Sequence, residues 1–260
     1  YRKKFIAASA RGYQAAVKDW QTWAAEVARP RGGAPCKIFV HRPKDGGPEP
    51  LPLVFWMHGG GFTVNDAQDP VGAGYANQLL ERGAPTVWAS VEYGLAPEEP
   101  FPAGFDDCLH GVLDLMHSPE RAKEYGFDPK RVHIAGISAG GGLAAGLVCE
   151  LQRRGGENAA AVRSAFVQEP MLEPLMNLPA FTENGDSRIA PVAWLKWCWE
   201  VYLRGLAGGV AEARADPRVC PHLHAPTLGP GAQFVPQLVV TTLADALRDD
   251  GRAYVRTMRE

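Results

Sequence analysis

The stretch "RVHIAGISAGGGLAAGLV", residues 131–148, decides how this chain is read. An apolar run, "RVHIAG", has the length and character of a buried strand. It stops at Gly136-Ile137-Ser138-Ala139-Gly140, and a small-residue helix is predicted from Ala139 to Arg154. A strand that turns at once into a helix can hold a serine on a tight bend with its Oγ exposed. The bend requires small residues two positions away on each side, and Gly136 and Gly140 meet that demand. The unpaired N–H groups and positive dipole end of the following helix favour a developing negative charge. Ser138 is therefore a candidate nucleophile. The plainer reading is a glycine-rich turn with no chemistry. A phosphate-binding turn is disfavoured, because neither G-x-x-x-x-G-K-[ST] nor G-x-G-x-x-G occurs here.

Working outward, strands alternate with helices. "CKIFV", "LVFWM", "TVWASVEY", "SAFVQ" and "QLVVTT" read as further strands. Helices are expected over Val71–Arg82, Gly104–His117, Pro191–Arg204 and Asp249–Arg259. This alternation predicts parallel pairing and a sheet covered on both faces. Tyr13, Val17, Trp20, Ala24 and Val27 recur at helical spacing, which predicts helix over residues 1–28. "RPKDGGPEPLP" reads as a turn-rich loop, and no internal repeat or low-complexity tract stands out in the chain.

A second feature points to the same chemistry. "WMHGGGF", residues 56–62, leaves a buried strand in a run of glycines. Such a loop lets backbone N–H groups turn toward a ligand, and with the N–H after the nucleophile it makes an oxyanion hole. His58 heads the loop and is read as orienting it, with Gly59, rather than as a base.

"HGGGF", "YGLAPEEPFPAGFDDC" (93–108), "GISAGGGLAA" (136–145) and "DALRDDG" (245–251) together resemble the hormone-sensitive-lipase-like branch of the α/β-hydrolases, in order and spacing over nearly the whole chain. The resemblance implies an α/β-hydrolase fold, a mostly parallel doubly wound sheet with a helical cap. It implies a serine carboxylesterase with a Ser-Asp-His triad, in which Ser138 is the nucleophile and Asp245 the acid. Gly60, Gly61 and Ala139 would supply the oxyanion N–H groups. Residues 1–29 would form an N-terminal cap region and residues 30–260 the core, with a cap insertion over about 171–215. Three positions depart from the family's habit: Ile137 before the serine, Gly94 in "YGLAP", and Ala246 after the acid.

Asp245 stands just after "QLVVTTLA", at the end of a predicted strand, where a triad acid belongs. Asp249 and Asp250 are read as cap and dipole partners of the next helix. A triad also needs an imidazole, which in this fold follows the acid in the chain. The seven histidines (His41, His58, His110, His117, His133, His222 and His224) all precede Asp245. The triad histidine is therefore expected beyond Glu260, with the C-terminal part of the fold missing from this chain. The alternative is a catalytically inactive hydrolase-fold protein that binds a small molecule; gibberellin receptors, which resemble the same family, lack the histidine. "CPHLHAPTLGPG" reads as a surface loop, so rescue by His222 or His224 is disfavoured.

"APVAWLKWCWEVYLRG" puts aromatics on two faces of one helix. Trp194 and Trp197, with Phe62 of the glycine loop, are expected to line a pocket for a bulky apolar substrate. A net charge of −2 and the lack of a long basic run argue against nucleic acid. The apolar runs fall short of the ~20 residues a membrane helix needs. Five scattered cysteines without a C-x-x-C pair suggest reduced thiols and a cytoplasmic location. The chain opens on Tyr1 rather than Met, which leaves room for an upstream segment. No metal or organic cofactor is implied, and the expected partner is an ester substrate.

Overall fold

The computed structural model describes residues 12–14, 16–46, 50–224, 228 and 234–260. Its strands are β1 (Trp20–Val27), β2 (Cys36–Pro43), β3 (Leu51–Met57), β4 (Val87–Glu92), β5 (Phe127–Ile137), β6 (Val162–Gln168) and β7 (Gln237–Val240). They form one sheet in the order β1-β2-β4-β3-β5-β6-β7. The neighbours from β4 to β7 are parallel, while β2 runs antiparallel to both β1 and β4. The helices are α1 (Pro70–Glu81), α2 (Ala103–His117), α3 (Pro119–Tyr125), α4 (Ala139–Arg154), α5 (Gly156–Ala161), α6 (Pro179–Glu183), α7 (Val192–Tyr202), α8 (Gly209–Arg214) and α9 (Arg248–Arg259).

Register positions the site. Met57 pairs with Gly136, Gly136 with Val167, and Val167 with Val239. Parallel strands in step finish together, so the chain leaves β3, β5, β6 and β7 along one edge of the sheet. That edge is where an open parallel sheet gathers its chemistry.

One expectation needs correction. Residues Trp20–Val27 are an edge strand, not helix, and belong to the sheet rather than to a cap. Of the helical reading over 1–28, residues 1–11 and 15 lie outside the described residues. Trp23, Ala25 and Val27 also alternate, and eight residues pair with β2 from Trp20–Pro43 to Val27–Cys36. That pairing outweighs a weak helical period. Helices lie on both faces of the sheet, as expected. Helices α2 and α4 bury Phe105, Val112, Leu143 and Leu147 against one face with Phe55 and Ile134. On the other face α1 packs Ala76 against Trp56 and Trp88. Much of that face stays open among the described residues, as a groove of about 1030 Å³ lined by Val54, Leu79, Trp88, Phe166 and Leu238. The groove reaches the amino ends of β3 and β5, away from Ser138. No helix among the described residues is long and apolar enough to cross a membrane.

The segment after β4 is held by a buried carboxylate. Asp107 of α2 accepts the Gly94 N–H at 2.8 Å and pairs with Arg29 at 2.8 Å and Arg31 at 2.8 Å. Arg29 also reaches Glu99 at 2.9 Å. Asp107 thereby ties the tail of β1 to the "YGLAPEE" loop. Its side chain is only 1% exposed, so removing it leaves the buried Gly94 N–H unpaired and strips two arginines of a partner, with Glu99 alone left to both. Asp107→Ala is expected to cost about 3–5 kcal/mol, measured by urea unfolding. A loss below about 1 kcal/mol, the range of an exposed pair, would contradict this account.

Candidate active site

Ser138 stands between β5 and α4 with φ 58° and ψ −120°. A non-glycine residue there costs roughly 1–3 kcal/mol. Three backbone hydrogen bonds pin it. Its N–H donates to Gln168 O at 2.9 Å, and its carbonyl accepts from Gly142 at 3.0 Å and Met171 at 3.1 Å. At roughly 0.5–1.5 kcal/mol each, they offset the strain. The Oγ makes no capping bond to α4, and the residue keeps some solvent exposure.

The elbow exists because two glycines let backbones touch. A Cβ on Gly136 would lie 2.2 Å from Gly140 O, and one on Gly140 would lie 2.1 Å from Met57 O and 2.4 Å from His58 O. The first turn of α4 therefore presses against the ends of β5 and β3 at once. This brings the two motifs together: a Cβ built on Gly59 would be 3.3 Å from Ser138 Cβ. Ala139 opens α4, where an N–H has no acceptor within the helix.

The glycine loop has a definite shape. Gly60 has φ 121°, Gly61 φ 59° and Phe62 φ 61°. Thr63 and Val64 N–H groups both donate to Gly60 O, at 3.0 and 3.1 Å. Among the described residues, the Gly60 and Gly61 N–H groups have no hydrogen-bond acceptor. His58 is fully buried. Its Nδ1–H donates to Gly59 O at 2.7 Å, and its ring stacks on Tyr93 at 4.2 Å. Tyr93 Oη donates to His58 O at 2.7 Å. Burial lowers the His58 pKa to about 4, so the imidazole is neutral at pH 7.

Helix α7 braces the loop from above. A Cβ on Gly61 would meet Cys198 Sγ at 2.5 Å and Trp194 Cη2 at 2.9 Å. Phe62 stacks on Tyr202 at 3.9 Å, and Ala96 N–H donates to Phe62 O at 2.8 Å. The expected pocket set divides accordingly. Trp194 lies on the loop. Phe62 is 3% exposed and packs in the core. Trp197 is 43% exposed on the outer face of α7. The inward aromatics are Trp199 and Tyr202.

Asp245 lies in the turn between β7 and α9, half-buried. Its Oδ1 accepts the Leu247 N–H at 2.7 Å, and burial raises its pKa. Asp249 and Asp250 do more than complement the α9 dipole. Asp250 is fully buried and accepts the Leu172 and Glu173 N–H groups at 2.8 and 3.0 Å, while Asp249 accepts that of Ala180 at 3.0 Å. They fasten the chain after β6 to α9.

All seven histidines have hydrogen-bond partners other than Ser138. His41 meets Tyr13 and Thr22, His110 donates to Asp106 O, His117 meets Asn158 and His133 meets Ser164. His222 is buried in a short helical turn against Glu173 at 3.3 Å, not on a surface loop as expected. His224 donates to Arg214 O at 2.7 Å. Sequence reasoning missed Tyr93 and Cys198. The available signal for Tyr93 was an aromatic residue closing a buried strand directly before Gly94.

Known proteins share this fold. A family model described as an alpha/beta hydrolase fold matches residues 54–260. The chain is 34% identical over 214 residues to carboxylesterase NlhH of Mycobacterium tuberculosis (strain ATCC 25618 / H37Rv), a match covering 80% of this chain and 60% of NlhH. It is 32% identical over 237 residues to carboxylic ester hydrolase LipN of the same organism, covering 90% of this chain and 58% of LipN. The chain thus spans about three fifths of the length of these curated relatives. Among solved structures, a bacterial heroin esterase superposes with a TM-score of 0.83 at 26% identity, covering 99% of this chain and 77% of that one.

Two outcomes are expected. Gly140→Ala forces a methyl into the Met57 and His58 carbonyls and should cost at least about 3 kcal/mol in chemical denaturation. The His58 ring resonances should not titrate by NMR between pH 8 and 5. An unfolded chain takes up this proton near pH 6.5 but the native one only near 4. The stability His58 contributes is thus whole above pH 6.5 and is lost as pH falls through 4.

Proposed function

The chain belongs to the alpha/beta hydrolase fold family, and from that premise we propose that it carries the nucleophile, oxyanion hole and acid of a serine carboxylesterase. One observation carries this reading. The glycine loop touches the serine elbow, with Gly59 against Ser138 Cβ, so a carbonyl carbon at Ser138 Oγ has its oxygen beside the unpaired N–H groups of the loop.

The chemistry follows. Ser138 Oγ attacks the ester carbonyl and its proton passes to an imidazole. The carbonyl oxygen becomes an oxyanion held by the Gly60, Gly61 and Ala139 N–H groups, each worth about 10²–10³ in kcat. The imidazolium returns the proton to the departing alkoxide, and an alcohol leaves. Water then attacks the acyl-Ser138 by the same route in reverse. Asp245 orients the imidazole. His58, neutral and bonded within its own loop, shapes that loop. Because each of the seven histidines is engaged elsewhere, we assign the base to sequence outside residues 1–260. Residues 171–215, with α6, α7 and α8, act as the cover of the site, and Trp194 presents an apolar wall to an uncharged ester.

The engagement of every histidine also favours a second reading, a hydrolase-fold protein that binds a small molecule without turnover. The two separate cleanly. In a protein that carries this chain, an alkyl fluorophosphonate should label Ser138 and fail to label Ser138→Ala, and p-nitrophenyl acetate should be hydrolysed. Stoichiometric ligand binding with neither labelling nor hydrolysis supports the second reading. Residues 1–260 expressed alone should turn over about a million-fold more slowly than a complete triad. Brisk turnover by them would mean that one of the seven histidines reaches Ser138.

A further inference from the structure

Glu169 immediately follows β6, and the steps above give it no work. Its backbone is fixed in an unusual conformation, with φ 45°. The Glu169 N–H donates to Val240 O at 2.7 Å, and the residue before it accepts the Ser138 N–H at 2.9 Å. The side chain reaches across to the end of β7, where Thr242 Oγ1 donates to Glu169 Oε1 at 3.0 Å. The Thr242 carbonyl in turn accepts the Asp245 N–H at 3.4 Å. Thr242 thus holds the Glu169 carboxylate with its hydroxyl and the Asp245 backbone with its carbonyl. Burial raises the pKa of Glu169, and the negative charge of Asp245, the charged group facing it, raises it further.

Strand order gives this pair a role. Ser138 follows β5, Glu169 follows β6 and Asp245 follows β7, and β6 lies between the other two strands. Neighbouring strands are roughly 4.8 Å apart. An imidazole that bridges Ser138 and Asp245 must therefore cross the end of β6, where Glu169 stands. Resting on the serine-esterase reading above, we propose that Glu169 is a second acid of the site, a positioning residue that shares with Asp245 the work of orienting the imidazole and stabilising its positive charge. The proton moves from Ser138 Oγ to the imidazole and on to the leaving alkoxide. Neither carboxylate takes it up.

The test is steady-state hydrolysis of p-nitrophenyl acetate by a protein that carries this chain. A sole triad acid costs about 10⁴-fold in kcat when amidated. With Glu169 in place, Asp245→Asn should cost only about 10- to 100-fold, and Glu169→Gln about tenfold with KM unchanged. The double variant should lose more than the product of the two single losses. Glu169→Asp should restore most of the kcat lost in Glu169→Gln, which a purely structural role would not require. Thr242→Val, which leaves both carboxylates intact, should lower kcat several-fold further in the Asp245→Asn background. The proposal is overturned if the double variant is no worse than Asp245→Asn alone. It is equally overturned if Glu169→Gln acts on KM, or if Glu169→Asp fails to rescue. Ser138→Ala serves as the control in every background. If it retains activity, the serine-esterase reading itself fails and this proposal falls with it; if it is dead, the other arms judge Glu169 alone.

Discussion

The site depends on how closely the first turn of α4 sits against the ends of β3 and β5. Two backbone contacts set that distance, Gly136 under Gly140 and Gly140 against the carbonyls of Met57 and His58. Any side chain at either position pushes the helix away from the sheet. With the helix in place, Ser138 has no room for a relaxed strand-to-helix turn and adopts its positive φ. The same closeness sets the glycine loop beside the serine. One packing constraint therefore produces the strained elbow and unites two motifs that lie far apart in the chain.

Strain at the site is balanced by contacts that come from elsewhere. Phe62 also has a positive φ, and a stacked Tyr202 from α7 and a hydrogen bond from Ala96 hold it there. An aromatic pair of this kind adds about 0.5–1.5 kcal/mol beyond burial. Tyr93 holds the other end of the loop through the His58 carbonyl. Tyr93 and Ala96 belong to the segment that Asp107 and two arginines fasten to α2 and β1. The loop is thus braced from the covering helix on one side and from the sheet edge on the other. Donors fixed in advance stabilise a developing charge better than donors that must first reorganise.

Much of this was legible in the sequence, for physical reasons. Helix α4 runs from Ala139 to Arg154 as its pattern predicts, since glycines mark its start and an apolar face fills it. The glycine runs announced close backbone approach. The segment Trp20–Val27 misled because its apolar residues satisfy a period of 3.6 and of 2 almost equally, and only β2 chooses between them. The tryptophans of α7 misled in the same way. Spacing shows which residues share a face, not which face turns inward, and Trp197 turned out while Trp199 and Tyr202 turned in. Asp249 and Asp250 looked like ordinary first-turn acids, yet their acceptors are spent on backbone far away in the chain.

The sequence by itself determined the family, the elbow at Ser138 and the glycine loop, because these rest on local rules: which residues permit a tight turn, a positive φ or a backbone contact. Tertiary structure alone decided what those pieces touch. It put Gly59 against Ser138, aimed Tyr93 at the His58 carbonyl, gave all seven histidines other partners, and set the strand that leads to Glu169 between those that lead to Ser138 and Asp245. Those relations come from strand order and register. Both are set by which strands share hydrogen bonds across the sheet, a property that no local stretch of residues encodes.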